Sequence, residues 1–225
     1  MNEVVFLIKV LAEFATVFVA NRIGKEWVVA TIGVNLILIS VLGAKVVAAF
    51  GFVTNAGNVF YAGVFLALQV LVERYGRKEA KRAAWLGFWA IGFFLLMSAV
   101  TQLQTSADAS ASSAGAAISA LFTFVPRIAF ASIVAFLFAQ TVNIRIYDDM
   151  RMRMGRRHLW ARSFMATVAG QLVDSVLFFY LAFAGVLPND VLVEALVVGF
   201  IMKSLIGAAS IPVLYATRTK IEQLI

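Results

Sequence analysis

Apolar residues occur in seven long stretches, separated by shorter polar linkers. A helix needs about 20 apolar residues to cross a lipid bilayer. The stretches therefore predict seven membrane spans, at residues 4–21, 28–49, 56–73, 83–101, 123–144, 164–186 and 191–213. This pattern predicts an all-α integral membrane protein, with a single transmembrane helical domain over residues 1–225.

The first predicted span is interrupted by two charges, Lys9 and Glu13. Residues four apart lie on the same face of a helix, where opposite charges attract. The spacing predicts that Lys9 and Glu13 pair with each other inside this span.

Basic residues collect in alternate linkers, which predicts the orientation of the chain. The opposite linkers, GFVTNA, QLQTSADASASSAGAA and LPND, contain no Lys or Arg. Linkers rich in Lys and Arg stay in the cytoplasm, so we expect the N-terminus outside and the C-terminus inside. The basic side holds 15 of the 19 basic residues: Arg22, Lys25, Arg74, Arg77, Lys78, Lys81, Arg82, Arg145, Arg151, Arg153, Arg156, Arg157, Arg162, Arg218 and Lys220.

Composition narrows the class of function. The chain is 62% hydrophobic and 14% charged, whereas a soluble domain carries about 25% charged residues. Orientation accounts for the basic residues better than nucleic-acid binding does. With no cysteine and a single histidine, His158, we expect no metal site, no cofactor and no enzyme activity. The first residues lack the basic start of a cleaved signal peptide, so none is expected.

Two charges lie near the centres of predicted spans, where a charge costs about 2.5–3.5 kcal/mol. Asp174 shares a helical stripe with Gln171, and Lys203 lies on a stripe of small residues. One interpretation is an ion pair that only fastens two helices. The other is a polar site at the middle of the membrane for a planar solute. Asp174 would accept hydrogen bonds there, and Gln171 or Asn143 would both donate and accept.

Five further residues are candidates for the same site. Gln140 lies three residues from Asn143, so the two share a helix face. Asn35 and Lys45 are polar positions of the second predicted span, although Lys45 could also extend to the outer interface. Arg127, at the outer end of the fifth span, could likewise act as an anchor. Glu73 closes the third span, either as an inner gate that meets substrate or as a cap for nearby arginines.

Four segments resemble the queuosine precursor transporter family, a vitamin-uptake-like family: FLALQVLVERYGRKEAKR, PRIAFASIVAFLFAQTVN, RRHLWARSFMATVAGQLVDSVLFF and MKSLIGAASIPVLY. Glu73, Tyr75 and Gly76 match the family pattern, whereas Gln69 replaces its first acid. The family's Gln-x-x-Asp motif is represented by Gln140 and Asn143. The residues that match unchanged are Arg127, Gln171, Asp174, Lys203 and Pro212.

The resemblance implies a six-helix core with an added first helix, and uptake of 7-cyano- or 7-aminomethyl-7-deazaguanine for tRNA modification. Asp174 would then pair with the donor edge of the base, and Phe178 or Phe179 would stack on its ring. The expected partners are this small molecule and the lipid bilayer, with no nucleic acid. A homo-oligomer is compatible with the sequence.

Two alternative functions remain open at this point. The chain could be the substrate-binding subunit of an energy-coupling uptake complex, whose fold is also a small helical bundle. It could also be a seven-helix retinal protein with Lys203 as the Schiff-base lysine. The third predicted span argues against the retinal protein, because Glu73 lies at its end and not at its centre.

Overall fold

The computed structural model describes residues 1–43, 45–105, 113, 115–119, 126–155, 158–186 and 188–217, with only the backbone described at 46, 52–55 and 126–129. The described chain is a bundle of helices with one short β-hairpin. Its main elements are α1 (Asn2–Ile23), α2 (Lys25–Leu42), β1 (Val46–Ala49), β2 (Phe52–Asn55), α3 (Asn58–Tyr75), α4 (Arg77–Thr101), α5 (Pro126–Met154), α6 (Leu159–Phe183), α7 (Asn189–Ala209) and α8 (Ile211–Ala216).

Five segments of the described chain are long and apolar enough to cross a membrane. They are α2, α4, residues 130–154 of α5, α6, and α7 taken together with α8. Their side chains follow the inverted pattern of a membrane bundle, with apolar residues outward and polar residues inward. On α6, for example, Leu172 and Tyr180 are exposed, whereas Thr167, Gln171 and Asp174 are buried.

Several helices differ in extent from the predicted spans. The predicted span 28–49 ends as a helix at Leu42, and its last residues form β1, which pairs antiparallel with β2. The predicted linkers after the third and fifth spans are mostly helical. Helix α4 already begins at Arg77, and α5 continues to Met154. Lys and Arg are good helix formers, so a basic run extends a helix beyond the apolar stretch.

Helix α3 lies at the centre of the bundle. All fifteen residues from Asn58 to Val72 are buried. It packs against α1, α2, α4, α5, α7 and α8. The single residue Gly76 separates it from α4, and its φ of 84° is a conformation that glycine adopts without strain. The inward-facing side chains of α3 therefore determine which groups of the other helices meet.

Close helix approach in the bundle depends on small residues. A Cβ atom added at Gly170 on α6 would lie 2.6 Å from the Phe65 ring of α3. A Cβ added at Gly207 on α7 would overlap the methyl group of Thr167 on α6. By contrast, a Cβ added at Gly92 on α4 would meet no neighbouring atom within 4 Å. Glycine is thus required for packing where α6 meets α3 and α7.

Candidate functional site

An ion pair joins α6 to α7 inside the bundle. Lys203 Nζ donates to Asp174 Oδ2 at 2.7 Å, and the ammonium lies 4.2 Å from the ring centre of Tyr61 on α3. Asp174 is 1% exposed and Lys203 is 5% exposed. The pairing proposed from the sequence is therefore present. It compensates two charges that would each be costly if buried alone.

Buried polar atoms without hydrogen-bond partners are concentrated beside this pair. Among the described residues they include Asp174 Oδ1, Ser175 Oγ, both amide atoms of Gln171, both amide atoms of Gln140 and Asn143 Nδ2. Buried polar groups are nearly always paired in folded proteins. The unpaired atoms on these two adjacent helices therefore mark the candidate site.

These groups lie at a similar depth in the bundle. Helices α5 and α6 form an antiparallel hairpin, and a Cβ added at Gly170 would lie 3.1 Å from the Cβ of Asn143. From that contact, Gln140 lies about 4.5 Å further along α5, and Asp174 lies about 6 Å further along α6. Because the helices are antiparallel, both displacements point the same way. The hairpin thus places Gln140 level with Asp174.

Gln69 lies further along α3, toward the end of the bundle that carries most of the basic residues. Its amide nitrogen donates to Thr167 Oγ1 at 2.9 Å and to Asn143 Oδ1 at 3.2 Å. Its amide oxygen accepts a hydrogen bond from Ser163 Oγ at 2.6 Å. Gln69 therefore links α3, α5 and α6 through satisfied hydrogen bonds.

A charged cluster surrounds Glu73, about one helical turn after Gln69 on α3. Arg162 Nη2 contacts Glu73 Oε1 at 2.5 Å, and Tyr147 donates to Glu73 Oε2 at 3.1 Å. Arg162 is 0% exposed and also donates to the carbonyl of Gly155. Arg151 Nε lies 3.8 Å from Glu73 Oε2. This Glu73 cluster holds α3, α5 and α6 together.

The structure brings together five of the nine candidate residues: Asp174, Lys203, Gln171, Gln140 and Asn143. Glu73 lies twelve residues from Tyr61 on α3, which is about 18 Å along the helix axis. Asn35 contacts Glu13 on another side of α3, and Lys45 is exposed before β1. The side chain of Arg127 lies outside the described part of the chain.

The pairing of Lys9 with Glu13 that the sequence spacing predicts is not found in the structure. Lys9 and Glu13 do not bond to each other. Lys9 donates to the carbonyl of Ala56 at 2.6 Å, whereas Glu13 accepts from Asn35. Glu79 pairs with Lys25 of α2 at 3.0 Å and not with a base on its own helical turn. In each case a neighbouring element offers a better partner than the same helix does.

Three residues that border the candidate site, Tyr61, Phe65 and Gln69, were not among the candidates, whereas Glu73 on the same stripe was. Tyr61, Phe65, Gln69 and Glu73 recur every four residues, which places them on one stripe of α3. Each contacts α6 or α7, at Lys203, Gly170, Thr167 and Arg162 respectively. This spacing could have identified the stripe from the sequence. Within the described part of the chain, the rings of Tyr61 and Phe65 contact residues of the candidate site, whereas Phe178 and Phe179 pack on each other.

The candidate site consists of hydrogen-bonding groups. No group of three or more His, Asp or Glu side chains able to hold a metal occurs within the described ranges. The groups present are amides, a hydroxyl and one compensated carboxylate. They can exchange hydrogen bonds with a polar solute inside an apolar bundle.

Such a bundle belongs to the class of multi-pass membrane proteins that handle small polar solutes. A family model described as "Putative vitamin uptake transporter" matches residues 55–217. The chain belongs to this family. It is a multi-pass transporter of the plasma membrane, and the family is not an enzyme family.

A curated relative extends the match over most of the chain. It is a "Probable queuosine precursor transporter" of Bacillus subtilis (strain 168), 33% identical over 200 residues. The aligned region covers 88% of this chain and 86% of the relative. No solved structure matches the chain. These comparisons lend no support to an energy-coupling subunit or to a retinal protein.

The Glu73 cluster predicts a large loss of stability when Arg162 is replaced by alanine. Glu73 would lose its closest charged partner, and breaking a buried ion pair costs about 3–5 kcal/mol. We expect the melting temperature in detergent to fall by about 6 °C or more. Arg153→Ala is the matched control, because Arg153 is exposed on α5. Equal melting temperatures for the two variants would contradict this role of Arg162.

Proposed function

We propose that the protein imports a queuosine precursor, 7-cyano- or 7-aminomethyl-7-deazaguanine, through the site between α5, α6 and α7. The observation that carries this proposal is the group of unpaired buried polar atoms around the Asp174–Lys203 pair. The family and the named function of the relative support the choice of substrate.

The groups at the site are complementary to a guanine-like base. The Watson–Crick edge of such a base carries two N–H donors beside one carbonyl acceptor. Asp174 Oδ1 has no partner and can accept from the donors, and the amide groups of Gln171 and Gln140 can donate to the carbonyl. Tyr61 and Phe65 border the same region with flat aromatic surfaces. The base would therefore satisfy polar atoms that the protein leaves unpaired.

The charge of the site favours a neutral base over a cationic one. Lys203 already compensates Asp174 at 2.7 Å, so the pair has no net charge. The neighbouring Gln140, Asn143, Gln171 and Ser175 side chains are neutral. A buried ammonium group without its own counter-ion is strongly disfavoured. The 7-cyano precursor therefore fits the site better than the 7-aminomethyl precursor, which carries a positive charge.

Asp174→Asn tests the site directly. The change keeps the shape of the side chain, but it weakens the hydrogen bonds to the base and leaves Lys203 without its counter-ion. We expect uptake of radiolabelled 7-cyano-7-deazaguanine to fall at least about tenfold in cells that cannot make the precursor. Asp190→Asn is the control, because it makes the same chemical change at an exposed position. Normal uptake by Asp174→Asn, at equal membrane abundance, would reject this site.

Competition between the two precursors tests the charge argument. Unlabelled 7-cyano-7-deazaguanine should inhibit uptake at a concentration at least about tenfold lower than the 7-aminomethyl compound does. Lys203→Met removes the compensating charge and leaves Asp174 to pair with a cationic substrate. In this variant, the preference for the 7-cyano compound over the 7-aminomethyl compound should become smaller or reverse. Equal competition by the two compounds in the unmodified protein would contradict a neutral site.

We also propose seven spans, with the N-terminus outside and the C-terminus in the cytoplasm. Helices α1 and α3 would span the membrane in addition to the five apolar segments. The support is the distribution of bases, since 15 of the 19 Lys and Arg residues belong to one side. The Glu73 cluster would then face the cytoplasm, and the β-hairpin would face outward.

Cysteine labelling tests this orientation, because the chain contains no cysteine of its own. Single cysteines are introduced at two exposed positions, as Lys81→Cys on α4 and Asp190→Cys on α7. A membrane-impermeant maleimide should label Asp190→Cys in intact cells and Lys81→Cys only after the cells are opened. The reverse pattern would show the opposite orientation.

A further inference from the structure

A buried carboxyl group lies outside the proposed substrate site, where α1 meets α2 and α3. Glu13 is 6% exposed, and Asn35 Nδ2 donates to its Oε1 at 2.5 Å. No charged side chain of the described residues pairs with Glu13. An isolated buried carboxylate is costly and tends to take up a proton. Glu13 is therefore suited to bind and release a proton.

The charged groups of α1 and α2 are directed elsewhere. On α1, Lys9 donates to the Ala56 carbonyl and lies 4.9 Å from the ring centre of Phe60, and Arg22 stacks on Phe18. On α2 the charged residues, Lys25 and Glu26, lie in the first turn, about 14 Å or more from Asn35 along the helix axis. Neither helix supplies a counter-ion to Glu13.

The other elements that pack against α1 supply none either. On α3, the Tyr61 ring faces Lys203, and Glu73 and Arg74 lie at the far end with partners of their own. The described backbone of β1 carries only Val and Ala residues, and Lys45 before it is exposed. On α8 the titratable group is Tyr215, whose hydroxyl accepts from the backbone of Trp160.

Helix α3 connects Glu13 to the substrate site. A Cβ added at Gly63 would overlap the Glu13 carboxyl group and lie 2.8 Å from Asn35 Nδ2. Two residues before Gly63, Tyr61 contacts Lys203, and two residues after it, Phe65 contacts Gly170. The Glu13 carboxyl and the substrate site therefore lie at the same depth, on different faces of one buried helix. If α3 shifts when Glu13 binds a proton, the surroundings of the substrate site change. If α3 shifts when substrate binds, the surroundings of Glu13 change.

We propose that Glu13 is the proton-binding site that couples uptake to a proton gradient, an inference that rests on the proposed import function. A proton from the outer water binds the carboxylate and forms an O–H bond. That bond breaks when Glu13 is open to the cytoplasm, and the proton is released there. One proton then enters with each neutral substrate molecule.

The test uses the purified full-length chain in liposomes, with radiolabelled 7-cyano-7-deazaguanine and the membrane potential clamped. One assay measures exchange of labelled for unlabelled substrate at equal pH. The other measures accumulation with the outside about one pH unit more acidic, which sustains about tenfold accumulation when one proton moves with each substrate. The unmodified protein should show both activities.

Glu13→Gln should retain exchange and lose the accumulation driven by the gradient. Glutamine resembles the protonated carboxyl in shape but does not release a proton. Glu194→Gln, at an exposed position of α7, should behave like the unmodified protein. Accumulation by Glu13→Gln at the level of the unmodified protein would overturn the inference. Equal accumulation by the unmodified protein with and without the pH gradient would also overturn it. Absence of exchange by the unmodified protein would overturn the proposed function, and this inference with it.

A second variant keeps the proposal testable even if Glu13→Gln fails to fold. Asn35→Leu leaves the carboxyl group in place but removes the donor that favours its ionised form. The midpoint of the pH dependence of uptake should then move to higher pH. A merely structural contact between α1 and α2 would change the amount of folded protein and not this midpoint. An unchanged midpoint would overturn the assignment of Glu13.

Discussion

The burial of α3 from Asn58 to Val72 is the constraint on which the rest of the structure depends. Polar side chains on or next to such a buried stretch have little access to water, so they need partners on neighbouring helices. Gln69 has its partners on α5 and α6, and Glu73 pairs with Arg162 and Tyr147. The positions of these partners fix how α5 and α6 pack around the centre of the bundle.

Polar pairing along α3 differs from one helical turn to the next, and this difference is the basis of the proposed substrate site. Toward the basic end, the turns of Gln69 and Glu73 are rich in hydrogen bonds and ion pairs that join three helices. At the level of Tyr61 the ion pair is present, but adjacent amide and hydroxyl atoms have no partner. Networks with satisfied bonds make a bundle rigid. Unpaired atoms instead leave free energy of binding available to a ligand.

Much of the helical fold could be predicted from hydropathy, and the ion pair of the candidate site from charges inside apolar stretches. Asp174 and Lys203 stood out because a midspan charge needs a partner, and the structure pairs them. The partners of Glu13 and Glu79 were not predictable in this way, because i,i+4 spacing describes only one helix. Which neighbouring helix supplies a partner depends on packing between distant segments. For the same reason, the sequence did not predict that Gln69 would join α3 to α5 and α6.

The link between α3 and α4 has a mechanical consequence. Gly76 alone joins the two helices, so the connection contains no slack. The other side of α4 exposes large aromatic rings, Trp85 and Trp89, on the outside of the bundle. Any axial movement of the central helix must therefore drag these rings through the surrounding lipid. Bilayer thickness and fluidity would then affect the rate of any transport step in which α3 moves.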